Sequence, residues 1–90
     1  MPVFVGERYI ANAEQGVALA EAAQLREVVQ RLAAEGSAVR LLSTTFVPNE
    51  EWVFDLFEAE SEDQVRHVYA QGHVPVERVA EGVHLSEPSE

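Results

Sequence analysis

An α+β sandwich, in which four antiparallel strands are roofed by two helices, is the fold this sequence predicts. Three observations lead there. Segments of period-two and period-3.6 hydrophobicity follow one another in the order β, α, β, β, α, β. The stretches between them are short and carry Gly, Pro, Asn or Ser. The most aromatic run, Glu51 to Ala59 (EWVFDLFEA), alternates as a central strand should. Trp52, Phe54 and Leu56 share one side of it, and Val53, Asp55 and Phe57 the other. The first side is large and wholly apolar, so it is expected under the helices. The second, with its carboxylate, is expected to be a sheet face that something else covers or uses.

The elements follow in chain order. Val3 to Ile10 reads as the first strand, with Val3, Val5, Glu7 and Tyr9 on one side and Phe4, Gly6, Arg8 and Ile10 on the other. Asn12 with Gln15 has the spacing of a capping box, although Gly16 weakens the first turn and moves the expected helix to Val17–Glu35. Its apolar stripe is Val17, Ala20, Ala23 or Gln24, Val28 and Leu32, widened by Leu25 and Val29. Gly36 ends it. Val39 to Val47 is the second strand; Pro48-Asn49-Glu50 turns the chain into the aromatic strand as a hairpin. Ser61 and Gln64 form a second capping box, and the acids between them favour the positive helix end. The second helix, about Glu62 to Gln71, buries Val65, Val68 and Tyr69 and is closed by Gly72. Val79 to Ser86 is the last strand, with His84 on the side of Ala80 and Gly82. The whole chain, 1–90, is one domain with a frayed tail at 86–90.

This order gives a ferredoxin-like sandwich with the first and third strands in the middle. Helices on a single side leave the opposite sheet face bare. That face carries apolar residues, Phe57 beside Asp55 and either Val5 or Phe4. Exposed apolar area of this kind marks an interface. A homodimer of dimeric α/β barrel type is therefore expected, its bare faces meeting directly or edge-on around a cavity.

Composition narrows the partners. With 16 acidic and 6 basic residues, a net charge of −10 and no lysine, the chain is a poor match for nucleic acid or anionic membrane. Cations and neutral or basic small molecules remain compatible. The absence of cysteine excludes thiolate ligands, disulfides and a cysteine nucleophile. No apolar run spans a bilayer and no signal-like start is evident, so a cytoplasmic protein is the expectation. Neither a glycine-rich phosphate loop nor a nucleophile elbow around Ser43-Thr44-Thr45 is found, and no organic cofactor is implied.

The chemistry-bearing residues are few. His84, beside the small Ala80 and Gly82, has room for a ligand, and histidine is a common metal ligand that titrates near neutrality; it reads either as a metal ligand or acid–base group or as an interface or core histidine. Asp55 sits among aromatics and needs a partner, for which Arg8 and Arg40 are available, or else a functional role. His73 could approach a site only if its loop folds over. His67, opposite the Val65–Val68–Tyr69 stripe, reads as solvated. No paired-histidine spacing occurs.

Three stretches carry a family resemblance: Val3 to Tyr9 (VFVGERY), Phe57 to Arg66 (FEAESEDQVR) and Gly72 to Val79 (GHVPVERV). They resemble a group of small bacterial ferredoxin-like proteins known as a domain of unknown function, one member of which binds nickel. The resemblance implies the same fold and a divalent, nickel-type ion, and it draws Glu7 into the ligand set with His84, Asp55 and His73. The chain departs from that group where members carry a His-Ser or similar pair on the second strand and a cysteine on the third. Here Ser43-Thr44-Thr45 and Phe54 or Asp55 stand instead. Oxygen donors could still hold a divalent ion, with less preference for nickel.

Two functions follow as expectations, beside a third option, an accessory or interaction protein with no ligand. One is a small dimeric metal-binding protein. The alternative is a small-molecule enzyme of cyclase, isomerase or monooxygenase type, with Asp55 or His84 as acid or base in a pocket lined by Tyr9, Trp52, Phe54 and Phe57.

Overall fold

A computed structural model describes residues 1–83 and residue 85. β1 spans Val3–Tyr9, α1 Gln15–Ala34, β2 Arg40–Val47, β3 Trp52–Glu58, α2 Glu62–Gly72 and β4 Arg78–Gly82. The four strands form one antiparallel sheet in the order β2-β3-β1-β4, so the first and third strands are central, as expected. The arrangement is compatible with a ferredoxin-like sandwich. Residue 86, the expected end of the last strand, the 86–90 tail and His84 lie outside the described residues.

Each helix end has a local cause, and two differ from expectation. The Asn12–Gln15 capping box does not form. Asn12 instead adopts a left-handed conformation (φ 61°) inside a short 3-10 turn, and Glu14 precedes α1 without a side-chain cap. The C-terminus of α1 closes through Gly36 at φ 94°. There Gly36 N–H donates to the Ala33 carbonyl and Ser37 N–H to that of Leu32, a Schellman pairing that satisfies two of the last free carbonyls. Ser61 caps α2 as expected: its Oγ accepts from Gln64 N–H, while the Gln64 side chain accepts from Glu60 N–H. At the other end of α2, Gly72 remains helical and His73 takes the left-handed position (φ 54°). Gly72 is buried, and a Cβ there would make ordinary contacts with Val28 at 3.4 Å and Leu25 at 3.7 Å.

Both helices cover the sheet face that carries Phe4, Phe57 and Val79, and the core between them includes Leu25, Val28, Val65, Val68 and Tyr69. The sides of β3 are thus reversed from the sequence expectation. Val53, Asp55 and Phe57 are fully buried beneath the helices, while Trp52, Phe54 and Leu56 are half-buried on the open face. Register supplies the reason. Phe4 pairs with Phe57 and Gly6 with Asp55, so the β1 side that bears Phe4, Gly6 and Arg8 must join Asp55. Val5, opposite Leu56, accordingly stands on the open face.

Two smaller features of the packing have local causes. A bulge between Leu41 and Ser43 shifts β2, putting Leu41, Thr44 and Phe46 on the helix side, with Leu42 exposed. On α1 the buried face begins at Ala18, whereas Val17 is exposed, because the helix starts at Gln15 and turns Ala18 toward Ile10, Val53 and Phe46. No described helix is long and apolar enough to cross a membrane.

Candidate functional site

The helix side of the sheet encloses a cluster of charged and hydroxyl groups centred on Asp55. Gly6 leaves space on β1, directly opposite Asp55, and the Tyr69 ring from α2 fills it. Arg8, two residues along the same face, grips the carboxylate with two nitrogens: Nε donates to Oδ2 at 2.7 Å and Nη2 to Oδ1 at 3.0 Å. Tyr69 donates its hydroxyl to Oδ2 at 2.6 Å, and Thr44 of β2 donates to Oδ1 at 2.8 Å. The remaining Arg8 nitrogen, Nη1, reaches Glu21 of α1 at 2.8 Å. Asp55 is completely buried and Arg8 nearly so, yet among the described residues no buried side-chain nitrogen or oxygen lacks a partner.

This is the Arg8–Asp55 ion pair that the sequence offered as one alternative, and its geometry favours a structural role. The carboxylate receives four donors, which occupies the acceptor sites it has. Burial, reinforced by the charge of Asp55, pushes the Tyr69 hydroxyl well above the ordinary tyrosine range, so Tyr69 stays a donor. Burial opposes the Arg8 charge, but the Asp55 hydrogen bond and the Asp55 and Glu21 charges outweigh it, raising its pKa. A bidentate, fully bonded pair of this kind holds the first and third strands to both helices.

The other predicted residues are divided. Tyr9 and Trp52 stand together on the open face, ring centroids 5.9 Å apart and edge to face, with Phe54 on the same side of β3. Phe57 leaves that group, because it points to the helices and packs edge to face on Tyr69 at 5.5 Å. Glu7 faces out from the middle of the sheet, with one carboxylate oxygen 3.7 Å from Arg78 Nε. His73 is exposed at the end of α2, and His67 is exposed on that helix. Among the described residues no group of three or more His, Cys, Asp or Glu gathers as a coordination sphere. Within one chain, then, Glu7, Asp55 and His73 do not fit a metal together.

Tyr69, Thr44 and Glu21 were not singled out from the sequence as polar partners. Tyr69 follows the apolar stripe of α2, and its hydroxyl gives no signal of its own. The available signal was indirect: a buried Asp55 needs more donors than one arginine supplies.

The open face has a composition of its own. Val5, Trp52, Phe54 and Leu56 form its half-buried apolar middle, and the pairs Glu7–Arg78 and Arg40–Glu58 flank it. On the helix side, a cleft of about 210 Å³ opens between α1 and β2. Compared with protein-family models, with curated proteins and with solved structures, the chain matches none.

Proposed function

We propose that this chain works as a homodimeric ligand-binding protein whose two copies meet through their open sheet faces, in the manner of a dimeric α/β barrel. The half-buried apolar middle of that face, Val5, Trp52, Phe54 and Leu56, carries the reading. Aromatic and aliphatic side chains at the centre, with charged pairs at the edge, are the pattern of an interface core and rim. The flanking ion pairs have opposite signs on neighbouring strands, so a two-fold axis can bring Glu against Arg. Ligand held at such a seam would lie against Tyr9, Trp52 and Phe54.

The divalent-ion reading, which the family resemblance implies, narrows to Glu7. Of the predicted ligands within the described residues, it is the one on the open face of a central strand. Asp55 is already saturated by Arg8, Thr44 and Tyr69. The same saturation works against the enzyme alternative, since a general base must reach the proton it takes.

Sedimentation of the purified chain tests the dimer. A dimer at about 10 μM that dissociates in Phe54→Glu supports it; a monomer up to about 100 μM sinks it. Calorimetric titration with nickel chloride tests the ion. Micromolar binding lost in Glu7→Gln and in His84→Ala supports a metal, and absence of heat in a proven dimer leaves an organic ligand.

A further inference from the structure

We propose that the cleft between α1 and β2 binds a short linear monocarboxylate, with Arg26 holding the carboxylate. The site lies on the helix side and does not depend on the dimer.

The argument starts from the arginines. Arg8, Arg40, Arg66 and Arg78 each sit within salt-bridge distance of a carboxylate, and Arg31 donates to Gln71. Arg26 has no salt bridge or side-chain hydrogen bond among the described residues. Arg26 is thus the arginine without a side-chain partner among the described residues, in a chain of net charge −10, and it lines a cleft. The other lining residues carry no charge. An anion is therefore the ligand whose charge is complemented there, and guanidinium matches a carboxylate with two parallel N–H donors.

Shape gives the rest of the ligand. Gln15, Ala18, Leu19, Ala22 and Arg26 recur at helical spacing along one side of α1, a run of roughly 16 Å at 1.5 Å per residue. The side chains lean toward the helix N-terminus, so the stem of Arg26 reaches back over the cleft. Small alanines open it, and Leu19 and Phe46 offer apolar walls. Leu19 is 64% exposed, a large apolar side chain left mostly uncovered. On the β2 side Thr44 is fixed by its bond to Asp55, which keeps that wall in place. At about 30 Å³ for each water-sized unit, 210 Å³ accommodates roughly seven units, the size of a five- to seven-carbon acid. A phosphate would meet one cation and no glycine-rich backbone cradle, so the carboxylate fits better.

The probe is hexanoate, titrated into the ¹⁵N-labelled full chain and followed by amide chemical shifts, with hexanamide and acetate as controls. Saturable shifts confined to Gln15, Leu19, Ala22, Arg26, Thr44 and Phe46 are expected, with hexanoate bound about tenfold tighter than hexanamide. Acetate should bind weakly, lacking the chain. Arg26→Gln, at an exposed position, should remain folded and lose the preference for acid over amide. Leu19→Asp should weaken hexanoate without altering the fold. Hexanoate shifts that scatter over the surface, or equal binding of acid and amide that Arg26→Gln leaves unchanged, would overturn the proposal.

Discussion

Gly6 and Tyr69 occupy one shared space: a Cβ on Gly6 would overlap the Tyr69 hydroxyl and stand 2.6 Å from its Cζ. The hydroxyl is there because Asp55, opposite Gly6 on the neighbouring strand, accepts it at 2.6 Å. A missing side chain on β1 thus makes the last bond of the Asp55 cluster possible. Gly6→Ala should lower the stability by about 2–4 kcal/mol in urea unfolding, since the ring is wedged in a packed core and cannot withdraw. A change within about 0.5 kcal/mol of the parent would mean that Tyr69 is not seated against β1.

Removing one member of the buried pair should cost more than removing both. Asp55→Leu leaves the Arg8 charge buried and facing only Glu21, so a loss of about 3–5 kcal/mol is expected. The double variant Arg8→Met with Asp55→Leu should recover part of that loss, because two apolar groups need no donors. Guanidinium unfolding of the two singles and the double measures this. Additive losses would argue against direct coupling.

Alkaline pH should expose Tyr69. Its folded-state pKa is raised, first by burial and then by Asp55, above the ordinary value near 10 that the unfolded chain keeps. The folded form therefore holds a proton that the unfolded form releases. The contribution is complete below about pH 10 and is lost as pH rises beyond it, at up to about 1.4 kcal/mol per pH unit. Thermal melting from about pH 8 to 11 should fall more steeply for the parent than for Tyr69→Phe. Parallel curves would place the alkaline transition elsewhere.

The two helix C-termini allow an opposite pair of substitutions. Gly36→Ala puts a Cβ at φ 94° and should destabilise by about 1–2 kcal/mol. His73→Gly relieves a non-glycine residue at φ 54° and should stabilise by roughly 0.5–1 kcal/mol. Urea midpoints compared at equal slope check both. A destabilised His73→Gly would reveal a role for the imidazole that its exposed position does not suggest.

Much of the fold was legible because local chemistry dictated it. Ser61 and Gln64 capped α2 as their spacing required, Gly36 closed α1, and Val65, Val68 and Tyr69 were buried at helical spacing. The short connections made the strand order nearly unavoidable. Less of the candidate site could be read. Arg8 as the partner of Asp55 was available from the strand pattern, but Thr44 entered only through a bulge near Leu42, and Glu21 only through the rotation of α1. Nothing in a run of residues announces either.

What the sequence alone determined was the set of elements, their order and their caps, since these depend on residues within a turn or two of one another. Tertiary structure decided which side of β3 went inward. Side-chain size favoured Trp52, Phe54 and Leu56, yet the pairing of β1 with β3 placed Gly6 and Arg8 beside Asp55, on the side where Phe4 and Phe57 meet the helices, and the carboxylate went inward with four donors. A strand's two sides differ by one residue of register, so the choice belongs to its neighbours.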